Sequence, residues 1–154
     1  MSRTLLILLA AGGSFAALAA AYAFQYIGGL APCHLCWLQR YPHFAAVGIG
    51  ILALLIPKSI LARLLPLAGA AAAVTTAAYG AYHTGVERRW WLSTCSPDLN
   101  LNQSAKALTA QLFAAPVVRC DHVAWQMFSL SMATWNMLFS LVLLALWLMA
   151  ATKP

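Results

Sequence analysis

Two cysteines separated by two residues, Cys33 and Cys36, open the stretch "PCHLCWLQRY", and Arg40 follows four residues after the second. A Cys-x-x-Cys bridge is a weak structural staple because the loop it closes is so short. Such pairs more often serve as redox centres, in which the thiolate is the reactive form. Pro32 suits the first turn of a helix, where a missing N–H is no loss. A helix is therefore expected to begin around the cysteines, with Cys36 near the positive end of its dipole, which favours thiolate. Arg40 then lies one turn on, on the same face as Cys36. It favours a thiolate too, or a bound electron-rich ring. An arginine at a lipid boundary is costly unless it reaches water or a partner, which makes Arg40 a candidate functional residue. A plain interface anchor is the alternative.

The remaining cysteines are Cys95 and Cys120. Four cysteines permit two disulfides or one metal site. A four-cysteine zinc site normally has a second closely spaced pair, whereas Cys95 and Cys120 are 25 positions apart, so no metal is expected. Covalent haem attachment needs histidine directly after the second motif cysteine; Trp37 stands there. Two static disulfides are the main rival to a redox reading.

The elements that must position these residues are membrane helices. The 154-residue chain is 63% hydrophobic and 8% charged, more apolar surface than a water-soluble domain of this size can hide. Its nine Lys and Arg are scattered, which disfavours nucleic-acid binding. Four stretches reach the length of about 20 apolar residues that a crossing requires: about 4–26, 36–56, 60–82 and 127–149. The fold class expected is an all-α four-transmembrane-helix bundle, one domain over 1–154. Arg3 followed by an apolar run and "AYA" (Ala21 to Ala23) also suits a signal peptide, but the run is long for one and reads as a span. Gly69, Ala73, Ala77 and Gly80 recur at helical spacing in the third span and suit close helix packing in lipid.

With four spans, both termini share one side and all four cysteines the other. Arg3, Lys58, Arg63 and Lys153 lie on the terminal side, and Arg40, Arg88, Arg89, Lys106 and Arg119 opposite. The weight given to short loops and flanks leans toward cytoplasmic termini. The loop of about 83–126 holds all three acids, Glu87, Asp98 and Asp121. Within it, Leu101, Ala105, Leu108 and Leu112 share one face, so a short interfacial helix is expected over 102–113.

A dithiol that gives up two electrons inside a membrane needs a lipid-soluble acceptor, and a quinone fits that need. "PCHLCWLQRYPH" resembles the first cysteine motif of the disulfide bond formation protein B (DsbB) family. "YHTGVERRWW" followed by Cys95 is similar to that family's third-span end and loop, and "RCDHVAWQMFSLSMATWN" to its second loop cysteine and fourth-span start. The three blocks occur in order and cover about half the chain.

The resemblance implies an inner-membrane protein dithiol:quinone oxidoreductase with periplasmic cysteines and cytoplasmic termini. Its partner would be a periplasmic thioredoxin-fold oxidase of DsbA type, and its acceptor ubiquinone or menaquinone from the membrane pool. Cys95 and Cys120 match the family's loop pair, Cys95 being the sulfur attacked. Cys33 and Cys36 would receive the electrons, with Cys36, Arg40 and His83 beside the quinone. His34 would tune the thiols. His43 and His122 read as ordinary interface residues, and Trp135 as a family tryptophan that packing explains equally well. Gln39 departs from members that carry an acid before the arginine. A substrate-specialised relative, a structural four-span protein with static disulfides and a vitamin K epoxide reductase-like quinone enzyme are the alternatives.

Overall fold

The computed structural model describes residues 1–56, 60–92 and 118–153, and between them residues 104, 106, 107 and 109. Of residues 60–62 only the backbone is described. Four helices are long and apolar enough to cross a membrane: α1 (Arg3–Tyr26), α2 (His34–Leu55), α3 (Ile60–Glu87) and α4 (Met132–Ala151). A small antiparallel hairpin, β1 (Gln126–Met127) with β2 (Leu130–Ser131), precedes α4. The helices form a ring in which α1 and α3 each pack on both α2 and α4.

Local chemistry sets the helix ends. Ser2 caps α1 by accepting the Leu5 N–H, and Ser131 caps α4 by accepting that of Thr134. Gly29, with φ +68, turns the chain out of α1 through a conformation that glycine adopts without steric cost. The α2 cap is Cys33, whose sulfur accepts the Cys36 N–H. Pro32 therefore sits just outside the helix instead of in its first turn, and α2 starts at His34, two residues before the expected 36.

Two other boundaries differ from the sequence expectation. α3 runs to Glu87 rather than ending near Tyr82, because "HTGVE" continues the helical hydrogen bonding before Arg89, at φ 58, ends it. The fourth helix begins at 132, not 127. Phe128 and Ser129 adopt φ of 52 and 60, the paired left-handed geometry of a tight two-residue hairpin, and that turn takes up the intervening residues. The Trp135 indole N–H donates to the Met127 carbonyl at 3.1 Å and ties the hairpin to α4. The interfacial helix expected over 102–113 lies mostly outside the described residues; residues 106, 107 and 109 are helical.

The core is closely packed on the side away from the cysteines. Leu6, Ile7, Ala10, Leu143 and Trp147 are buried together, while large apolar residues such as Phe15, Ile51, Leu55 and Val142 face outward, as a lipid-facing surface requires. The small-residue stripe of α3 brings helices into close approach. A Cβ on Gly80 would meet the Met137 backbone at 3.1 Å, and one on Gly69 would meet the Trp147 ring at 2.5 Å. Gly69→Ala is accordingly expected to lower the thermal midpoint in detergent, an overpacking cost of about 1–3 kcal/mol. Gly12→Ala, whose added carbon has no neighbour within 4 Å, should show no such loss.

Candidate active site

The N-terminal turns of α2 bring both motif cysteines to the wall of a cavity of about 450 Å³ that lies among all four helices and the segment before β1. Cys33 is buried and Cys36 half-buried; both are free thiols, with their sulfurs 2.9 Å apart. Burial and the shared hydrogen have one consequence at Cys33. Its thiol is pushed well above the ordinary range, first by its hydrogen bond with Cys36 and then by desolvation. Cys120 is buried beside Cys33 and Val86 and is disulfide-bonded. Cys95 lies outside the described residues.

Arg40 stays on the Cys36 face of α2 and lines the same cavity. It is 93% buried, being only 7% exposed. The guanidinium donates to Gln25 Oε1 at 2.6 Å and to the Ala21 carbonyl at 3.3 Å. It also sits 4.8 Å from the ring centres of both Tyr22 and Trp37, in the corner between two nearly perpendicular rings, a double cation–π contact. Among the described residues no carboxylate pairs with it. The charge is thus held by neutral acceptors and π faces, and stays available to an electron-rich or anionic group in the cavity. Of the two ways expected to offset its cost, reaching water or finding a partner, Arg40 has the partner.

His83 reaches the thiols from α3. Its Nε2 is 3.7 Å from the Cys33 sulfur and 3.9 Å from Glu87 Oε1. Gln39 Nε2 lies 2.8 Å from His83 Nδ1 and 3.2 Å from the Leu35 carbonyl. Asn136 Nδ2 donates to Gln39 Oε1 at 2.8 Å and to Thr76 Oγ1 at 3.1 Å, and the Thr76 hydroxyl donates to the Gln39 carbonyl at 3.0 Å. His43 Nε2 is 3.0 Å from Asn136 Oδ1. His43 is therefore no surface residue: it is 3% exposed and joined to α4, because the apolar bundle leaves a polar ring few partners except across the helix interface. His34 and His122 are exposed, His122 at the cavity mouth. There Arg119 and Asp121 form a two-bond ion pair, and the Arg119 guanidinium holds the Asp121 carboxyl below its ordinary range.

Cys33, Cys36, Arg40 and His83, singled out from sequence, thus share one cavity, to which the structure adds Gln39, His43, Glu87 and Asn136. The available signal was spacing: Cys36, Gln39, Arg40 and His43 fall on one face of α2, and polar residues in membrane helices turn toward the bundle interior. Cys33, Cys36 and His83 also bring three metal-capable atoms within 4.8 Å of one another.

A family model described as Disulfide bond formation protein DsbB matches residues 2–150. The chain belongs to the DsbB family. Among curated relatives, a Disulfide bond formation protein B of Actinobacillus pleuropneumoniae is 30% identical, covering 90% of this chain and 79% of the relative. One of the same name from Stutzerimonas stutzeri is 28% identical, covering 92% and 91%. An uncharacterized protein of Rickettsia prowazekii is 27% identical, covering 85% and 77%. No solved structure matches the chain. This DsbB-family chain is a multi-pass membrane protein with an oxidoreductase role in disulfide bond formation.

The two thiols of this DsbB-family site differ in access and in ease of ionisation. Iodoacetamide should label Cys36 of the reduced protein about tenfold faster than Cys33 at mildly alkaline pH, read by peptide mass spectrometry. Because the Cys33 thiol is raised, its own labelling should climb only as pH passes well beyond the ordinary thiol range. Equal rates would contradict the geometry.

Proposed function

We propose that the protein is a protein dithiol:quinone oxidoreductase that reoxidises a periplasmic thioredoxin-like dithiol oxidase of DsbA type and passes the electrons to a membrane quinone. The observation that carries this reading is the free Cys33–Cys36 pair in the wall of an apolar cavity that also holds Arg40. The cavity fits a quinone ring: its walls are mostly apolar, and a few polar groups converge at the cysteine end. In this reading residues 1–154 act as one domain, the cysteines face the periplasm and both termini lie in the cytoplasm.

The steps balance as follows. A thiolate of the partner attacks Cys95 in a Cys95–Cys120 disulfide, forming a mixed disulfide and releasing Cys120 as a thiolate. The partner's second thiolate displaces Cys95, so the partner leaves oxidised and this pair is left reduced. The same exchange moves the two electrons to a Cys33–Cys36 disulfide, regenerating the Cys95–Cys120 bridge. A bound quinone supplies an acceptor for two electrons and two protons. Cys36, half-buried in the cavity wall, presents its sulfur there, and closing the Cys33–Cys36 bond returns the pair to its oxidised form. Arg40 stabilises negative charge that develops on the ring side of the cavity, and His83 sits where a proton can be held beside Cys33.

Purified protein in detergent, a reduced thioredoxin-like oxidase and a soluble quinone provide the test, followed by quinone absorbance. Quinone consumption is expected with the wild type and abolished in Cys36→Ser and Cys95→Ser. Arg40→Met should slow turnover about a hundredfold, the scale of losing one charge-stabilising group. A folded wild type that consumes no quinone would count for static disulfides.

A further inference from the structure

The orientation of Gln39 follows from its surroundings. The Leu35 carbonyl 3.2 Å away can only accept, so the Gln39 atom facing it is the amide nitrogen. That nitrogen has one more hydrogen, and it points at His83 Nδ1, 2.8 Å away. Nδ1 must accept. A proton there would meet the amide N–H donor to donor, and an imidazole only 5% exposed cannot relieve that clash by turning to bulk solvent. The remaining ring proton belongs on Nε2, facing the Cys33 sulfur at 3.7 Å and Glu87 Oε1 at 3.9 Å, with the backbone carbonyl of Cys120 as a further acceptor for the ring.

The same reasoning carries backward. Thr76 uses its hydrogen on the Gln39 carbonyl, so it accepts from Asn136. The Asn136 amide nitrogen is then committed to Thr76 and Gln39, and its oxygen accepts from His43 Nε2–H. His43 Nδ1, left as a bare acceptor, is buried and has no hydrogen-bond partner among the described residues.

We propose that Gln39 is a positioning residue that fixes the His83 proton on Nε2, so that one series of donors runs from His43 through Asn136, Gln39 and His83 to Cys33 and Cys36. Aligned donors polarise one another, which makes His83 Nε2–H a stronger donor to the thiol pair than an isolated imidazole. The lock also bears on metals. Cys33, Cys36 and His83 have the spacing of a three-ligand site, but a metal needs the Nε2 lone pair, and the lock puts a hydrogen there. Gln39 therefore keeps the reduced dithiol from being captured by Zn²⁺. The consequence for electron transfer rests on the quinone-reducing reading above; the tautomer does not.

The test is nitrogen-15 NMR of histidine-labelled reduced protein in detergent, with the His83 signals assigned by their loss in His83→Gln. The wild type should show His83 as one tautomer, protonated at Nε2, with Nδ1 shifted as a hydrogen-bond acceptor. Gln39→Met, similar in size and without a donor, should lose that acceptor shift. A Zn²⁺ titration of the same samples should show affinity about tenfold or more higher in Gln39→Met, the scale on which groups behind a metal ligand act. Asn136→Leu, which leaves the Gln39–His83 bond in place but unsupported, should fall between the two. If either variant fails to fold, the wild-type spectrum decides alone. A proton on Nδ1 in the wild type, an unchanged Nδ1 signal in folded Gln39→Met, or equal Zn²⁺ affinity would each overturn the proposal.

Discussion

The Gln39 side chain makes hydrogen bonds in three directions within an otherwise apolar bundle, and much of the site depends on it. Its amide nitrogen joins the Leu35 carbonyl to His83, and its oxygen receives the Asn136 amide. The Gln39 backbone carbonyl is taken by Thr76. One residue of α2 is thereby bonded to α3 and α4 at the level of the cysteines. A polar group left unpaired in such surroundings is expensive, so these partners are constrained to meet.

Two different kinds of packing divide the bundle. Away from the cysteines, Trp147 lies directly against Gly69, and helix contact is a matter of shape between apolar groups. Near the cysteines, the helices are joined by amides, hydroxyls and imidazoles, and the space between them opens into a cavity. The first region can hold the helices in register without directing any chemistry. The second gives each polar atom a direction, which the redox role proposed for the dithiol requires if its hydrogens are to leave along a defined route.

Arg40 belongs to this second region but is held differently. Gln25, the Ala21 carbonyl and the faces of Tyr22 and Trp37 surround it. These groups solvate the guanidinium without neutralising it, as a salt bridge would. A positive charge kept inside the bundle is most useful where negative charge appears only transiently, because a permanent counter-ion would compete with it.

Hydropathy and length alone determined the four crossings, since both are properties of contiguous residues, and the spacing of Cys33, Cys36 and Arg40 placed them at one helix start. His83 entered from sequence only by resemblance to the family. What sequence could not supply was which polar groups meet. Gln39 is 44 positions from His83 and 97 from Asn136, and nothing local to any of the three names its partners. His43 read as an interface residue because a lone histidine in an apolar run has no visible acceptor; the tertiary structure provides Asn136. The late start of α4 was equally hidden, because the hairpin turn uses Phe128 and Ser129 at positive φ where glycine or asparagine would have announced it. Helices in a membrane are decided by the chain's own backbone bonding, but the tautomer of a buried imidazole is decided by its neighbours in space, and only packing brings those together.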